Sequence, residues 1–436
     1  MNQKLVITLP MAGFGTRMRP HTWNKPKSLC RVAGMTTLDY VLRQFEPVHH
    51  LFDHVKYVFI VSNQTHHNQI HSHIQKLPRE YDINYVYQTI MDGQSKAIKL
   101  AEDYLKGPTI IAFADTLIDM DLNILSEDFK TAIAWGVRVN EPEHYGIAQI
   151  DGDNSVIRIK EKPQEYIGNM AMVGTYYFPD GEQFISGINR QFERGIHKDA
   201  EDPKDHLTKE FYIAPAINIL LKEDALPMKI AEAPGMHDAG RTDSIIETNE
   251  YLLKKYWGNS QETFIKRFGK DVIIEPPVFI GEDVSLKNVI LGPNVSVSNH
   301  TTIENAEISH SIIGEHVEIS RLRLKNSILG DHVTVHDTKN SLKQLQLSDH
   351  SQSIVAQSDK EIIKDKVECH SSATYAERPV SFYWGGEQLE VNAILSRWRT
   401  QLGRGFRVRV EDLRQFVLFY DEGLDEWQVD MYSDKG

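Results

Sequence analysis

The sequence predicts an α/β domain with a mostly parallel sheet, followed by a parallel β-helix and a small β-rich domain. Two observations carry this prediction. Buried strand-like runs alternate with amphipathic segments over the first ~255 residues, and this rhythm is typical of βαβ units. A short repeat with glycine and valine at fixed positions then replaces the alternation, and such repeats indicate a solenoid.

The α/β prediction follows from the order of the segments. Apolar runs bounded by polar residues are typical of strands, and apolar residues three and four positions apart are typical of helices. The expected strands are Lys4–Leu9, Val55–Ser62, Ile83–Tyr87 and Thr109–Ala114, and the expected helices are Thr37–Phe45, Gln69–Lys76 and Ser95–Leu105. Ligands of such sheets bind at the carboxyl ends of the strands. The loop after Leu9 and the carboxylate of Asp115 both fall there.

The repeat has the form aliphatic-Gly-x-x-Val-x. Its four copies lie within 55 residues, at Ile280–Ser285, Leu291–Ser296, Ile313–Glu318 and Leu329–Thr334. In a β-helix each unit forms one flat side of a coil, the aliphatic residue fills the interior and glycine permits the turn. From a length of about 60 residues we expect three or four coils.

These patterns divide the chain into four parts. We expect the α/β domain at 1–258, the β-helix at 272–336, a polar linker with some helix at 337–376, and a small β-rich domain without an assigned role at 377–436. Within the last part, Val391–Leu402 has helical spacing. Arginines accompany a tryptophan there, and we interpret them as the solvated basic edge of a small sheet: Arg397, Trp398, Arg404, Arg407 and Arg409.

Composition excludes several classes of protein. The chain has 436 residues, 41% hydrophobic and 25% charged, and no segment approaches the ~20 apolar residues of a membrane span. A net charge of −13 argues against a nucleic-acid partner, because nucleic-acid binding requires a basic surface. With only Cys30 and Cys369, neither a disulfide framework nor a thiolate metal site is expected. We expect a soluble cytoplasmic protein without a signal peptide or a membrane partner.

The strongest chemical signal is the glycine-rich loop between Leu9 and Arg19. Its glycines let backbone N–H groups approach phosphate oxygens closely. Arg17 follows Gly15 by two residues and the pair Pro26-Lys27 lies further on, so two cations can meet the same anion. The loop is neither a Walker P-loop nor a dinucleotide fingerprint, since it lacks the GK[ST] ending and a third glycine.

The block from Gly13 to Leu29 resembles the signature of the sugar-1-phosphate nucleotidylyltransferases, G-x-G-T-R-x-x-P-x-T-x-x-x-P-K-x-[ML]. Further landmarks of that family follow in order at Tyr87–Ala97, Phe113–Asp115, Tyr145–Ile147, Glu161–Pro163, Asn169–Tyr177 and His237–Gly240. The resemblance covers residues 3 to about 255. It implies a Rossmann-like nucleotidyltransferase domain, and a left-handed hexapeptide-repeat β-helix is a common companion of that domain.

The resemblance also implies roles for individual residues. The expected catalytic residues are Arg17, Lys27, Asp115 and Lys162, and the expected nucleotide-binding residues are Ala12, Gly13, Gly15, Thr16, Gln88 and Gly93. Sugar phosphate would be bound by Gly146, Glu161, Lys162 and Asn169, and the Mg²⁺ cofactor by Asp115 and Asp238. Such chemistry requires positioning and charge neutralisation, and the attacking phosphate is already ionised at neutral pH.

Two departures from the family pattern stand out. Ala12 occupies the place of the usual first glycine of the loop. The late W-x-D-x-G-T motif has His237 near the tryptophan position and Arg241 at the threonine position. Neither change removes a charged group that the reaction requires.

The predicted reaction is Mg²⁺-dependent transfer of a nucleotidyl group from a nucleoside triphosphate to a sugar-1-phosphate. The segment from Gln88 to Gly93 most resembles in length that of the thymidylyl- and uridylyltransferases of the family, and this resemblance implies dTTP or UTP as donor, with glucose-1-phosphate favoured as acceptor. Three alternatives stay open: an adenylyl- or guanylyl-specific enzyme, a bifunctional nucleotidyl- and acyltransferase, and a catalytically silent regulatory subunit. Retention of Arg17, Lys27 and Asp115 argues against the silent subunit. We expect a homo-oligomer formed through the β-helix.

Overall fold

The computed structural model describes residues 4–127, 130–199, 207, 209–257, 268–269, 271–337, 342–355, 361–363, 367–370, 378–384, 387–399, 403–421 and 426–432. Two compact units make up the chain, Met1–Ser353 and Ile354–Gly436. The expected domain boundary at 258 lies outside the described residues, as do 338–341, 356–360, 364–366 and 371–376 of the expected linker.

Residues 4–257 alternate strands and helices. The strands are β1 Lys4–Pro10, β2 Arg31–Val32, β3 Met35–Thr36, β4 His54–Val61, β5 Asp82–Tyr87, β6 Thr109–Ala112, β7 Thr116–Ile118, β8 Ala132–Arg138, β9 Gly146–Ile150, β10 Val156–Glu161, β11 Met170–Phe178, β12 Met228–Glu232 and β13 Met236–Asp238. The helices are α1 Thr37–Gln44, α2 Gln64–Ile74, α3 Gln94–Lys99, α4 Ile124–Glu127, α5 Gly181–Glu193, α6 Ala214–Glu223 and α7 Thr242–Trp257. None of the helices in the described part of the chain combines the length and apolarity that a membrane span needs.

Local sequence explains where the first helices begin and end. Thr36 and Asp39 form a capping box at the start of α1, which satisfies backbone N–H groups that the first turn leaves unbonded. Asn63 caps α2 through the N–H of His66, so that helix begins earlier than expected. After Lys99 the backbone bonds switch to the tighter i to i−3 spacing. Helix α3 is therefore shorter than expected.

The large sheet has the order β10-β9-β11-β6-β1-β4-β5, and β8 joins β11 to β12. Strands β5, β4, β1 and β6 are mutually parallel, whereas β11 runs antiparallel to β6, β8 and β9. Alternate side chains of β1 face two separate apolar cores. Helices α1, α2 and α7 cover one face and α3, α5 and α6 the other, as in three-layer α/β domains.

The repeat region stacks parallel strands, and we call residues 272–355 the coil. One sheet contains β14 Val272–Ile274, β16 Ser285–Leu291, β18 Thr302–Ser309, β20 Glu318–Lys325, β22 Thr334–Asp337 and β25 Gln352–Val355. A second contains β15 Val278–Ile280, β17 Val295–Val297, β19 Ser311–Ile313, β21 Ile328–Leu329 and β24 Gln346–Leu347. Aliphatic side chains fill the interior, as the repeat predicts. Left-handed winding stays a prediction.

The stack continues beyond residue 336, where we expected it to end. Strand β23, Leu342–Lys343, pairs with β20, and β24 pairs with β21. The prediction of a linker is therefore wrong for 342–347, and the predicted three or four coils are too few for a sheet of five strands. The repeat is hard to detect here because Ser348 replaces the glycine at the position of Gly330.

The second unit is an antiparallel sheet with the order β26-β32-β31-β30-β29-β28-β27. Its strands are β26 Glu361–Ile363, β27 Val367–His370, β28 Arg378–Trp384, β29 Glu387–Arg399, β30 Gly403–Val410, β31 Gln415–Asp421 and β32 Glu426–Met431. The prediction of a helix is wrong for residues 391–399, which belong to β29. Two register shifts interrupt the alternation of that strand, and such bulges produce an apparently helical spacing.

Candidate active site

The glycine-rich loop leaves the carboxyl end of β1 and is held at both ends. The Met11 N–H donates to the carbonyl of Ile60 over 2.8 Å. Gly15 has a φ of 60°, which favours glycine, and the Thr22 hydroxyl donates to its carbonyl over 2.8 Å. Between these points the loop is open, since a Cβ built at Gly13 would meet no atom of the described residues within 4 Å.

A cleft of about 430 Å³ lies against this loop, a volume typical of small-molecule sites. Nine of the predicted site residues line it, and they include both cationic residues of the signature: Ala12, Gly13, Gly15, Thr16, Arg17, Lys27, Gln88, Gly93 and Asp115. The fold thus gathers the carboxyl ends of three parallel strands of one sheet, β1, β5 and β6, around one cavity.

Gln88 and Gly93 form one wall of the cleft. Gln88 is only 6% exposed, and its Nε2 donates to the carbonyl of Gly93 over 3.4 Å. Gly93 has a φ of 112°, and a Cβ there would overlap the backbone of Phe211. Phe211 in turn donates its N–H to Asp92 over 2.9 Å and accepts from the N–H of Ser95 over 3.0 Å. This wall is therefore clamped by a segment distant in sequence.

Charged groups converge on Gly240 at the edge of the same cleft. Lys27 Nζ lies 2.7 Å from Asp115 Oδ2. A Cβ built at Gly240 would lie 2.5 Å from Asp238 Oδ1, 2.6 Å from Lys27 Nζ and 3.4 Å from Asp115 Oδ2. The pairing of β7 with β13 causes this meeting, because it sets Asp238 opposite Thr116, the residue that follows Asp115.

Hydrogen bonds orient the carboxylates of Asp115 and Asp238, and neighbouring cations also keep Asp115 ionised. Burial opposes ionisation of Asp115, but the neighbouring Lys27 ammonium and the charge of Arg17 outweigh it and keep the pKa of Asp115 below its usual range. Asp238 Oδ1 accepts the N–H of Gly240 over 2.6 Å, and Oδ2 accepts the hydroxyl of Ser244 over 3.1 Å.

Asp115 and Asp238 fit the predicted Mg²⁺ cofactor. Their oxygens border the space that a side chain at Gly240 would fill. Mg²⁺ takes oxygen ligands and usually keeps several waters, so two carboxylates together with phosphate oxygens suffice. Lys27 contacts Asp115 Oδ2, and Oδ1 accepts the Thr116 hydroxyl over 3.3 Å. Each carboxylate oxygen has two lone pairs, so Oδ1 retains one for such an ion.

The residues expected to bind sugar phosphate lie outside the lining of this cleft. Gly146 and Glu161 face each other in the pairing of β9 with β10, and a Cβ at Gly146 would lie 2.7 Å from Glu161 Oε2. Burial raises the pKa of Glu161 against the opposing charge of Lys162. Asn169 Oδ1 accepts a bond from Arg138 over 3.4 Å. The fold brings Gly146, Glu161 and Lys162 together, whereas the side chain of Asn169 is bonded to Arg138.

Comparison with known proteins identifies the family to which this domain belongs. Residues 9–255 match the family described as nucleotidyl transferase. This chain belongs to that family. The matched range contains the whole glycine-rich loop, Asp115 and Asp238. It also contains every strand of the large sheet, except for the first residues of β1.

Similar proteins carry several different names. The bifunctional protein GlmU of Methanococcus aeolicus is 28% identical over 281 residues, which cover 63% of this chain and 60% of that protein. A glucose-1-phosphate thymidylyltransferase of Streptomyces antibioticus is 23% identical over 328 residues, covering 69% and 85%. The low-salt glycan biosynthesis nucleotidyltransferase Agl11 of Haloferax volcanii is 23% identical over 332 residues with the same coverage. The alignment therefore spans about three fifths of the GlmU relative.

Sequence reasoning missed several residues that line the cleft. Phe14 and Phe113 lie within or beside the motifs, so their position in the sequence could have identified them. Glu210 carries no such signal, because it reaches the cleft from the segment that clamps Gly93. Lys25 occupies an unspecified position of the signature, and it contacts the coil rather than the cleft.

Proposed function

We propose that this protein transfers a nucleotidyl group from a nucleoside triphosphate to a sugar-1-phosphate, releasing pyrophosphate and forming a nucleoside diphosphate sugar. The convergence of Lys27, Asp115 and Asp238 beside the glycine-lined cleft carries the proposal. An ammonium, two carboxylates and an open backbone loop together suit a metal-bound polyphosphate. Family membership supports nucleotidyl transfer, and the name of the Streptomyces relative supports a sugar-1-phosphate acceptor.

In the proposed step, an oxygen of the sugar phosphate attacks the α-phosphorus in line. A P–O bond forms as the bond from the α-phosphorus to the oxygen bridging to the β-phosphate breaks, and its electron pair leaves with pyrophosphate. The attacking phosphate is ionised at neutral pH, so no general base is needed. The protein contributes positioning and charge neutralisation.

The cations of the signature act on the phosphates. Arg17 is exposed at the cleft, and its planar guanidinium binds the β- and γ-phosphates as pyrophosphate leaves. Lys27 contacts the triphosphate or the attacking phosphate from its position beside Asp115. Asp115 and Asp238 would hold Mg²⁺, which when bound neutralises charge on the phosphate oxygens. The Gly240 N–H and the Ser244 hydroxyl orient Asp238 for this role.

The remaining residues recognise the two substrates. The buried amide of Gln88 and the backbone of Gly93 contact the nucleobase. Glu161 accepts hydrogen bonds from sugar hydroxyls, and Lys162 binds the sugar phosphate. We favour dTTP or UTP with glucose-1-phosphate. An amide can also pair with purines, so adenylyl and guanylyl transfer are direct competitors.

Pyrophosphate release tests the proposal. Full-length protein is incubated with Mg²⁺, each of dTTP, UTP, ATP, GTP and CTP, and a panel of sugar-1-phosphates. We expect release with dTTP or UTP and glucose-1-phosphate, and none from the Arg17→Ala variant on the same time scale. Absence of release with every pair would overturn the enzymatic proposal and favour a silent regulatory subunit.

The coil raises a second question about activity. The GlmU relative is named a bifunctional protein, and the coil has five strands in its second sheet. We propose that the coil forms a homo-oligomer and carries no acyltransferase site. Light scattering of the full chain measures its oligomeric state, and acetyl-CoA consumption with glucosamine-1-phosphate measures acyl transfer. A monomer, or turnover of acetyl-CoA, contradicts the respective half of this proposal.

A further inference from the structure

Lys25 and Lys27 lie on opposite sides of one short turn. Lys27 Nζ contacts Asp115 at the cleft, whereas Lys25 Nζ lies 3.0 Å from Asp331 Oδ2 and 3.0 Å from Asp349 Oδ1 in the coil. Pro26 and the 3-10 turn Lys27–Leu29 join them, and proline restricts the backbone at this point. Only one residue, with a restricted backbone, therefore separates the two lysines.

The coil also holds the other end of this turn. Arg31 lies 2.7 Å from Glu315 of the coil. The Ala33 N–H donates to the buried Oδ1 of Asn249 over 2.8 Å, and that oxygen also accepts the hydroxyl of Ser296 over 2.8 Å. Both ends of the turn that carries Lys27 are thus bonded to side chains that the coil supplies or anchors.

The three coil carboxylates that bind Lys25 and Arg31 occupy one register position on successive turns. We call these residues, Glu315, Asp331 and Asp349, the carboxylate column. The Glu315 N–H donates to Asp331 Oδ1 over 2.9 Å, and the Asp331 N–H donates to Asp349 Oδ1 over 2.9 Å. The residues that follow them, His316, His332 and His350, stack with ring centroids 4.7 Å apart. The repeat therefore fixes the spacing of the column before any cation binds it.

The contact of Lys25 with the column is largely shielded from water. The side chains of Lys25 and Asp349 are 15% and 14% exposed, so their interaction is stronger than that of an exposed ion pair. Burial opposes the charge of Asp331, but Lys25, the Glu315 N–H and Arg31 outweigh it and lower the pKa of Asp331. Removing the ammonium would leave two poorly solvated carboxylates side by side.

We propose that Lys25 is a positioning residue for nucleotidyl transfer: by binding Asp331 and Asp349 it fixes the turn that presents Lys27 to the cleft, which makes the coil part of the catalytic apparatus. The inference rests on the proposed function, because it requires that Lys27 act on the phosphates. A displacement of about 1 Å in a reacting geometry can lower a rate by about 100-fold. A looser turn at Lys27 is therefore expected to lower kcat more than it changes KM.

A double-mutant cycle between Lys25 and Lys27 tests the inference in the full-length protein. We expect Lys25→Met to lower kcat about 10-fold, and Lys25→Arg to retain most of the activity, since both charged side chains reach the same carboxylates. In a Lys27→Ala background, Lys25→Met should change kcat less than about 2-fold, because the group through which it acts is gone. Additive losses of kcat would overturn the inference.

A matched set of variants separates an effect of Lys25 on stability from its effect on the position of Lys27. The triple variant Lys25→Met/Asp331→Asn/Asp349→Asn removes the unpaired charges, so its melting temperature should recover toward wild type while kcat stays low. Recovery of kcat together with stability would show a structural role only. Lys229→Met breaks an exposed 3.0 Å ion pair with Asp153 and should leave kcat unchanged.

The two proposals fail in different ways. If the wild-type protein releases no pyrophosphate, or if Lys27→Ala is fully active, the proposed function is wrong. If Lys27→Ala is impaired but Lys25→Met keeps wild-type kcat, only the role of Lys25 is wrong.

Discussion

The signature and the residues beside it form two halves, residues 12–17 and residues 25–31, and these halves are held in opposite ways. In the first half a Cβ at Gly13 would meet no atom of the described residues within 4 Å, Phe14 is 61% exposed and Arg17 is exposed at the cleft. In the second half Lys25 and Arg31 are bound to the carboxylate column. A loop that must close on phosphate oxygens needs open backbone, whereas a cation that stabilises developing charge acts best when its position is set beforehand.

Removing the cation of the open half, or the carboxylate that pairs with Lys27 of the fixed half, should have the largest effect. Arg17→Ala takes the cation from the open half, and Asp115→Asn takes the partner of Lys27 in the fixed half. We expect each to lower kcat by about 100-fold or more, equivalent to about 2.7 kcal/mol in the barrier, with the fold intact. Steady-state pyrophosphate release and far-UV circular dichroism measure the two quantities.

The matched control for these variants is Asp153→Asn. Asp153 is an exposed carboxylate that also pairs with a lysine, so its loss should leave kcat within about 2-fold of wild type. Near wild-type activity in Arg17→Ala or Asp115→Asn would mean that the transfer site lies elsewhere.

Two glycines of the cleft separate an open position from a packed one. Gly93→Ala places a methyl group against the Phe211 backbone at a φ of 112°, and we expect it to lower the free energy of unfolding by about 2 kcal/mol. The methyl group of Gly13→Ala meets no atom within 4 Å in the described part of the chain, so this variant should keep wild-type stability and instead raise KM for the nucleoside triphosphate. Denaturant unfolding and steady-state kinetics distinguish them. Equal stability losses in both variants would contradict this contrast.

A smaller effect is expected from pH at His21, which lies between the two halves. His21 is 4% exposed, and burial followed by the charge of Lys25 lowers its pKa to about 4 from 6.5. At a pH between about 4 and 6.5, His21 binds a proton in the unfolded chain but not in the folded chain. The free energy of unfolding therefore falls as pH falls. From about pH 7.5 to about pH 5.5 this loss amounts to about 1 kcal/mol.

The His21→Gln variant isolates that contribution. The difference in unfolding free energy between variant and wild type should change with pH in this window, because glutamine does not titrate. A difference that stays constant from about pH 7.5 to about pH 5.5 would show that His21 titrates normally in the folded protein.

Features that depend on neighbours in sequence were predictable. The strands that end at Pro10 and Ala112, the glycine-rich loop and the repeat all follow from local patterns, and Asp115 was placed by its position after a strand. The end of the coil was not, because Ser348 hides the last copy of the repeat. Part of strand β29 has a helix-like spacing of apolar residues, because its bulges disturb the alternation typical of a strand.

Glycine spacing and apolar periodicity act over a few residues, so the nucleotidyl transferase domain, its glycine-rich loop and its charged residues are predictable from local sequence. Which lysine meets which carboxylate depends on the tertiary fold. Lys25 meets partners 306 and 324 residues away, and Asp115 and Asp238 meet only through the pairing of β7 with β13. Electrostatic attraction depends on the distance between atoms and not on their separation along the chain. These ion pairs therefore cannot be predicted until the packing of the coil on the domain is known.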